Sequence, residues 1–148
     1  MIRDLTRDDL PALMHIAEVM HAESVYAEYP LNTDRTEYVL TTLLAADTVF
    51  CRGAEVDGNL VGVFFGEVNS DIWADVNVAK DIVFYVLPEH RAGGQGVRLI
   101  KSFYQWTAGR CDEVVLSVYA GVNNVATGGI LARMGYADAG TIHKKRAA

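Results

Sequence analysis

Arg91, Gly94 and Gly96 stand at the spacing Arg-x-x-Gly-x-Gly, directly after Val86-Leu87-Pro88. That pattern suits an anion site. Glycine lets a ligand approach the backbone closely, and the first N–H groups of a helix converge at its positive end. Arg91 and Arg98 add charge beside it. An apolar strand is expected over 82–87, stopped by Pro88, and an amphipathic helix from about 97 to 108. Val97, Ile100, Phe103, Tyr104 and Thr107 fall on the inner side of that helix. Strand, glycine turn and helix N-terminus together make a phosphate cradle.

Two familiar phosphate motifs do not fit. A P-loop needs Lys and Ser/Thr after its last glycine; Gly96 is followed by Val97 and Arg98. A dinucleotide fingerprint needs a third glycine and an early βαβ unit, and neither is present. Arg-x-x-Gly-x-Gly alone would arise by chance in roughly 4 of 100 chains this long. Its place after a strand and at a helix start therefore carries more weight than the pattern.

The elements around the cradle fit one domain, residues 1–148. The chain has 148 residues, 51% apolar and 22% charged, as expected of a soluble globular fold. A net charge of −6 argues against a nucleic-acid surface. The basic run His143-Lys144-Lys145-Arg146 reads as a solvated end or edge strand. No apolar run is long enough to span a membrane. Cys51 and Cys111 lie in or beside apolar patterns and read as buried small hydrophobes. With no signal-peptide pattern at Met1-Ile2-Arg3-Asp4, the expected setting is cytoplasmic. His15, His21, His90 and His143 have no ligand-like spacing, so no metal site is read.

Along the chain, a short strand at 1–5 precedes a helix with Thr6 as N-cap and Leu10, Leu13, Met14, Ala17 and Met20 at helical spacing. An irregular polar and aromatic stretch, 23–32, leads to a second helix over 33–46. Strands at 48–56 and 60–68 flank Asp57-Gly58-Asn59, a hairpin turn signal. A loop is expected over 69–80, then the strand and helix of the cradle. A further strand is expected at 113–119, a helix at 125–134 ended by Gly135, and a last extended segment at 136–144. The order β-α-α-β-β-β-α-β-α-β predicts an α/β (α+β-like) fold: a mixed, mostly antiparallel central sheet flanked by helices.

With the cradle, hairpin and strand order in place, the sequence resembles the GCN5-related N-acetyltransferase (GNAT) family over most of its length. Asp81-Ile82 through Arg91 is similar to that family's fourth strand and its exit. Val115-Leu116-Ser117-Val118 is similar to the fifth strand, and Asn124…Gly135-Tyr136 to the closing Asn…Gly-Phe. The resemblance implies the acyl-CoA N-acyltransferase fold and acetyl-CoA as co-substrate. It implies that Arg91 and the loop Ala92, Gly93, Gly94, Gln95, Gly96 and Val97 hold the pyrophosphate. It places the backbones of Tyr85, Val86 and Leu87 along the pantetheine arm, where two strands splay, and brings Asn124 to the cofactor.

Acetyl transfer from a thioester to an amine requires a base for the ammonium, N–H donors for the oxyanion and help for the leaving thiolate. By resemblance, Val86 N–H is the oxyanion donor. Asp81 and Glu67 are the candidate bases. Where the family often carries a tyrosine as acid, this chain has Leu131; Tyr119 is the substitute. The acceptor, an amine of a small molecule or protein, is expected over the loop carrying His21, Glu23, Ser24, Tyr26 and Tyr29. Only one extended segment follows Gly135, where the family commonly has two. The sheet edge would be open, or completed by a second copy. The alternative is a fold module that binds CoA or a protein with little catalysis. A tRNA-acetylating activity would need a basic face that this acidic chain lacks.

Overall fold

The computed structural model describes residues 1–118 and 120–147. Among these residues, five strands form one sheet in the order β1-β2-β3-β4-β5. They are β1 (Ile2–Asp4), β2 (Phe50–Val56), β3 (Asn59–Ser70), β4 (Asn77–Val86) and β5 (Glu113–Val115). The first four pair antiparallel in sequence order, and β5 joins β4 in parallel. Between β2 and β3 the chain reverses at Asp57 and Gly58, both at positive φ (50° and 79°), as a two-residue hairpin requires.

The α-helices among the described residues that flank the sheet are α1 (Leu10–Glu23), α2 (Thr33–Ala45), α3 (Gln95–Thr107) and α4 (Asn124–Arg133). Successive β3 residues Phe64 and Phe65 are both fully buried, so helices cover both faces of the sheet. On one face Phe103 of α3 stacks on Phe64, with centroids 4.5 Å apart, and meets Phe50 at 5.2 Å. The other face packs against α1, whose Leu13 and Ile16 are buried. Thr6 caps a single 3-10 turn, Arg7–Asp9, that leads into α1; its N–H donates to Asp9 Oδ2 at 2.8 Å. Arg3 ties that turn to β2 through Asp9 and Glu55.

Three expectations change. The segment read as a loop over 69–80 is mostly strand: β3 runs to Ser70 and β4 starts at Asn77. These residues pair with one another, Val68 with Ala79 and Asn69 with Val78. Asp81 therefore lies within β4 rather than at its start. The strand expected at 113–119 ends at Val115. The extended segment expected at 136–144 forms no strand; it leaves α4 with Tyr136 N–H on Leu131 O at 3.0 Å, and residues 137–144 are exposed.

Candidate active site

A β-bulge starts the site. Phe65 faces Val83 and Gly66 faces Asp81, so Ile82 is the extra residue in β4. The bulge reverses the in-out alternation of β4. Asp81 consequently shares the face of Gly66, toward α3, where it meets Phe64, Ile100, Leu116 and Leu131 around a small void. One carboxylate oxygen accepts the Ser117 N–H at 2.7 Å. Burial pushes the Asp81 carboxyl above its ordinary value, and the Ser117 bond only partly offsets this.

That bond marks the place where β5 leaves the sheet. β4 pairs with β5 only from Val78 to Lys80. Beyond Lys80 the outer edge of β4 opens onto a cleft of about 190 Å³. Phe84, Tyr85 and Val86 form one wall; Ser117, Val118, Asn123 and Asn124 face them; Met20 of α1 and Ile130 of α4 complete it. Asn123 enters α4 in the left-handed region, φ 51°. The loop after α1 is tied to the far wall by Val25 N–H on Ala120 O, 2.9 Å.

Backbone direction along β4 decides which groups a ligand could pair with. Leu87 N–H donates to Val61 O at 2.9 Å, so it serves β3. Antiparallel alternation turns the Tyr85 amide the same way and leaves those of Phe84 and Val86 facing the cleft. Val86 O on that edge accepts from Arg91 Nε at 3.0 Å. Tyr85 contributes its side chain instead, and Phe84 is the edge residue that sequence reasoning missed. The ladder register would have revealed it; an apolar run of six residues could not.

The cradle sits at the end of this edge. Residues 88–93 form a 3-10 turn beginning at Pro88, not an open glycine loop, and Ala92 and Gly93 are exposed on it. Gly94 then takes φ 74° and caps α3. Arg98 N–H makes the first intrahelical bond, to Gly94 O at 3.1 Å. The amides of Gln95, Gly96 and Val97 are thus the orphan donors of the helix. A Cβ at Gly96 would lie 3.2 Å from Phe84 Cζ and 3.8 Å from Val86 Cγ2. Glycine lets the helix end sit this close to β4, which brings its donors to the cleft. The residues present fit a pyrophosphate joined to an extended arm.

Arg91 is more constrained than its sequence position suggests. Its Nη2 lies 2.5 Å from Glu23 Oε2, and its guanidinium is 5.2 Å from the centre of the Tyr85 ring. The Tyr85 hydroxyl donates to the same Glu23 carboxylate. Arg91, with help from Tyr85, holds the Glu23 carboxyl below its ordinary value; burial and then Glu23 push the Tyr85 phenol up. Glu23, grouped by sequence with the acceptor loop, thereby joins that loop to the cofactor side. No local signal could have shown this, since its partners lie 62 and 68 residues away.

The remaining sequence candidates are more dispersed. Glu67 is half-buried opposite Lys80 in the β3–β4 ladder and is not among the cleft walls. Asn124, first residue of α4, lines the cleft. Leu131 is buried on the α3 side and has no proton to give. Tyr119 lies outside the described residues. Cys51 and Cys111 are half-buried rather than buried; Cys51 donates to Leu43 O, and burial pushes its thiol up to about 11. Among the described residues, no three His, Cys, Asp or Glu side chains converge on a metal-sized site, and no helix is long and apolar enough to cross a membrane.

A mixed sheet that opens beyond a bulged strand, beside a glycine-capped helix N-terminus, is the class of fold the sequence predicted. The chain belongs to the GNAT acetyltransferase family: residues 11–136 match the model of the "Acetyltransferase (GNAT) family". No curated protein matches it significantly by sequence. Among solved structures, it is similar to the aminoglycoside 6'-N-acetyltransferase AAC(6')-IG from Acinetobacter haemolyticus, with TM-score 0.75, 16% identity, and coverage of 100% of this chain and 98% of that one. AAC(6')-Iy, solved with a CoA bisubstrate analogue, gives TM-score 0.78, 18% identity, and coverage of 100% and 97%. A ribosomal-protein-alanine N-acetyltransferase from Brucella melitensis biovar Abortus 2308 gives 0.74, 19%, 100% and 99%. At these identities the likeness shows the fold.

Proposed function

We propose that this chain transfers an acetyl group from acetyl-CoA to a primary amine of a small molecule or protein, directly and within a ternary complex. The observation that carries the proposal is the open outer edge of β4, running from the bulge to the first three amides of α3, which have no partner within the helix. Solved relatives of the fold include complexes with CoA and with a CoA bisubstrate analogue.

Bound there, the cofactor supplies an activated acetyl thioester. The chain's own groups would do the rest. Gln95, Gly96 and Val97 amides receive the pyrophosphate, with Gly94 and Gly96 giving access. Arg91 holds the end of the β4 edge through Val86 O. Val86 N–H, facing the cleft, is the donor for charge growing on a carbonyl oxygen. Neither carboxylate is itself a wall of the cleft; Asp81 is the better placed to take the acceptor's proton, through water, because Ser117, which it holds, is part of that wall. Its raised pKa moves toward the range in which a base works well. The amine would enter beside Glu23 and the loop after α1, where aromatic and acidic groups suit a cation. Free Cys51 and Cys111 suit a reducing, cytoplasmic setting. The short edge of β5 is where a second copy could add to the sheet.

A non-catalytic reading has one observation in its favour: Leu131 is buried where the family often has its acid. One experiment separates the two. Acetyl-CoA at a hundredfold excess over Kd stabilises by about 2.7 kcal/mol, roughly 5–10 °C in Tm for a domain this size. Free-thiol release is then followed over a panel of amines and peptides. Absence of any thermal shift overturns the cofactor assignment; a shift without release on any acceptor supports the binding module.

A further inference from the structure

The basic run near the end of the sequence is not simply solvated. Lys144 Nζ lies 3.5 Å from Glu28 Oε1, and Arg146 Nη1 lies 3.6 Å from Glu28 Oε2. Each cation also stands over a tyrosine: Lys144 is 5.3 Å from the Tyr26 ring centre and Arg146 is 5.5 Å from that of Tyr29. One carboxylate between two aromatic faces thus holds two adjacent cations. All of these side chains belong to the loop between α1 and α2 or to the basic run.

We propose that Tyr26, Glu28 and Tyr29 form a cation subsite, filled in cis by Lys144 and Arg146, which a polycationic amine enters by displacing them. Two features of the contact suit a displaceable occupant. Its ion pairs are long and exposed, the class that contributes least to stability. Its aromatic faces accept any ammonium or guanidinium, because the attraction is to the ring quadrupole. The run is nonetheless held near the loop by its own chain, which gives it an effective concentration on the order of millimolar. A singly charged amine could replace only one of the two contacts, whereas a polyamine replaces both. The loop borders the cleft through Val25 and Ala120, so the occupied subsite would screen the acceptor entrance against weak monocations. That the displacing amine is the acceptor rests on the acetyl-transfer reading; the subsite and its occupant do not.

The test uses spermine as the polycation, without acetyl-CoA, at fixed ionic strength, with affinity read by NMR shift titration. Spermine is expected to bind the K144Q/R146Q variant about fivefold more tightly than the wild type. The gain is expected to vanish when E28Q is added. R7Q/K101Q, which removes the same charge from exposed positions outside the run and the loop, should show no gain. Equal affinity in K144Q/R146Q and wild type, a gain that survives E28Q, or an equal gain in R7Q/K101Q would each overturn the proposal. Because no step involves acetyl transfer, its failure is distinguishable from failure of the enzymatic reading.

Discussion

Asp81 has two separable properties: an acceptor oxygen and a negative charge. The oxygen holds Ser117 N–H where β5 turns away; the charge is what a base needs. Asp81→Asn keeps an acceptor of the same shape and loses the charge. Tm at neutral pH is expected to hold or rise, while kcat falls by about 10²-fold or more, the scale of general-base catalysis. Unchanged kcat would leave Asp81 as a structural cap. Asp81→Ala removes both properties and is expected to cost about 1 kcal/mol in chemical denaturation; exposed Ser117 can recover part of its bond from water. Asp81 was a candidate because the family resemblance implies an acid at the start of this apolar strand. The sequence could not show the direction of the side chain, which depends on one extra residue, Ile82, in the ladder with β3.

The same ladder sets how closely α3 can lie on the sheet. A Cβ at Gly66 would stand 2.4 Å from Phe103 Cε2 and 3.1 Å from Lys80 O. The helix therefore seats its aromatic stack directly on the backbone of β3. Gly66→Ala is expected to destabilise by about 1–3 kcal/mol, through overpacking against a fully buried ring. Urea denaturation checks it; a variant as stable as wild type would mean that α3 shifts freely. The apolar stripe of α3 and the Asp57-Gly58 turn were legible because each is a local pattern. The first half of β4 was not: Asn77 to Lys80 pairs with the polar end of β3, from Glu67 to Ser70, and carries little apolar signal. The end of β5 was over-read for the opposite reason. Leu116-Ser117-Val118 is apolar enough for a strand, but its side chains line voids beside α4 and its Ser117 amide goes to Asp81. The cradle was legible in its glycines. The link from Arg91 to Glu23 was not, because it joins segments distant in sequence.

Carboxylates at three separate junctions give the whole molecule a composite acid response. Asp9, paired with Arg3, fixes β1 to the turn before α1. Glu23, paired with Arg91 and Tyr85, fixes the end of α1 to β4 and its exit. Both are held below their ordinary values of 3.8 and 4.5. Their stabilisation is present above those values and is lost as pH falls through the folded-state pKa. Asp81 works the other way. Its folded-state pKa lies above 3.8, so its contribution is complete below that value and is lost as pH rises through the raised pKa. Tm measured from about pH 3 to 8 should resolve the two signs. The wild type should lose Tm as pH falls below about 4.5, and Glu23→Gln should flatten part of that loss. Asp81→Asn should gain on the wild type as pH rises from about 4, because the cost of burying its charge is gone. A difference between Asp81→Asn and wild type that shrinks with rising pH would mean that Ser117 and the surrounding dipoles favour the carboxylate over the acid. Asp81 would then be too weak a base for the role proposed.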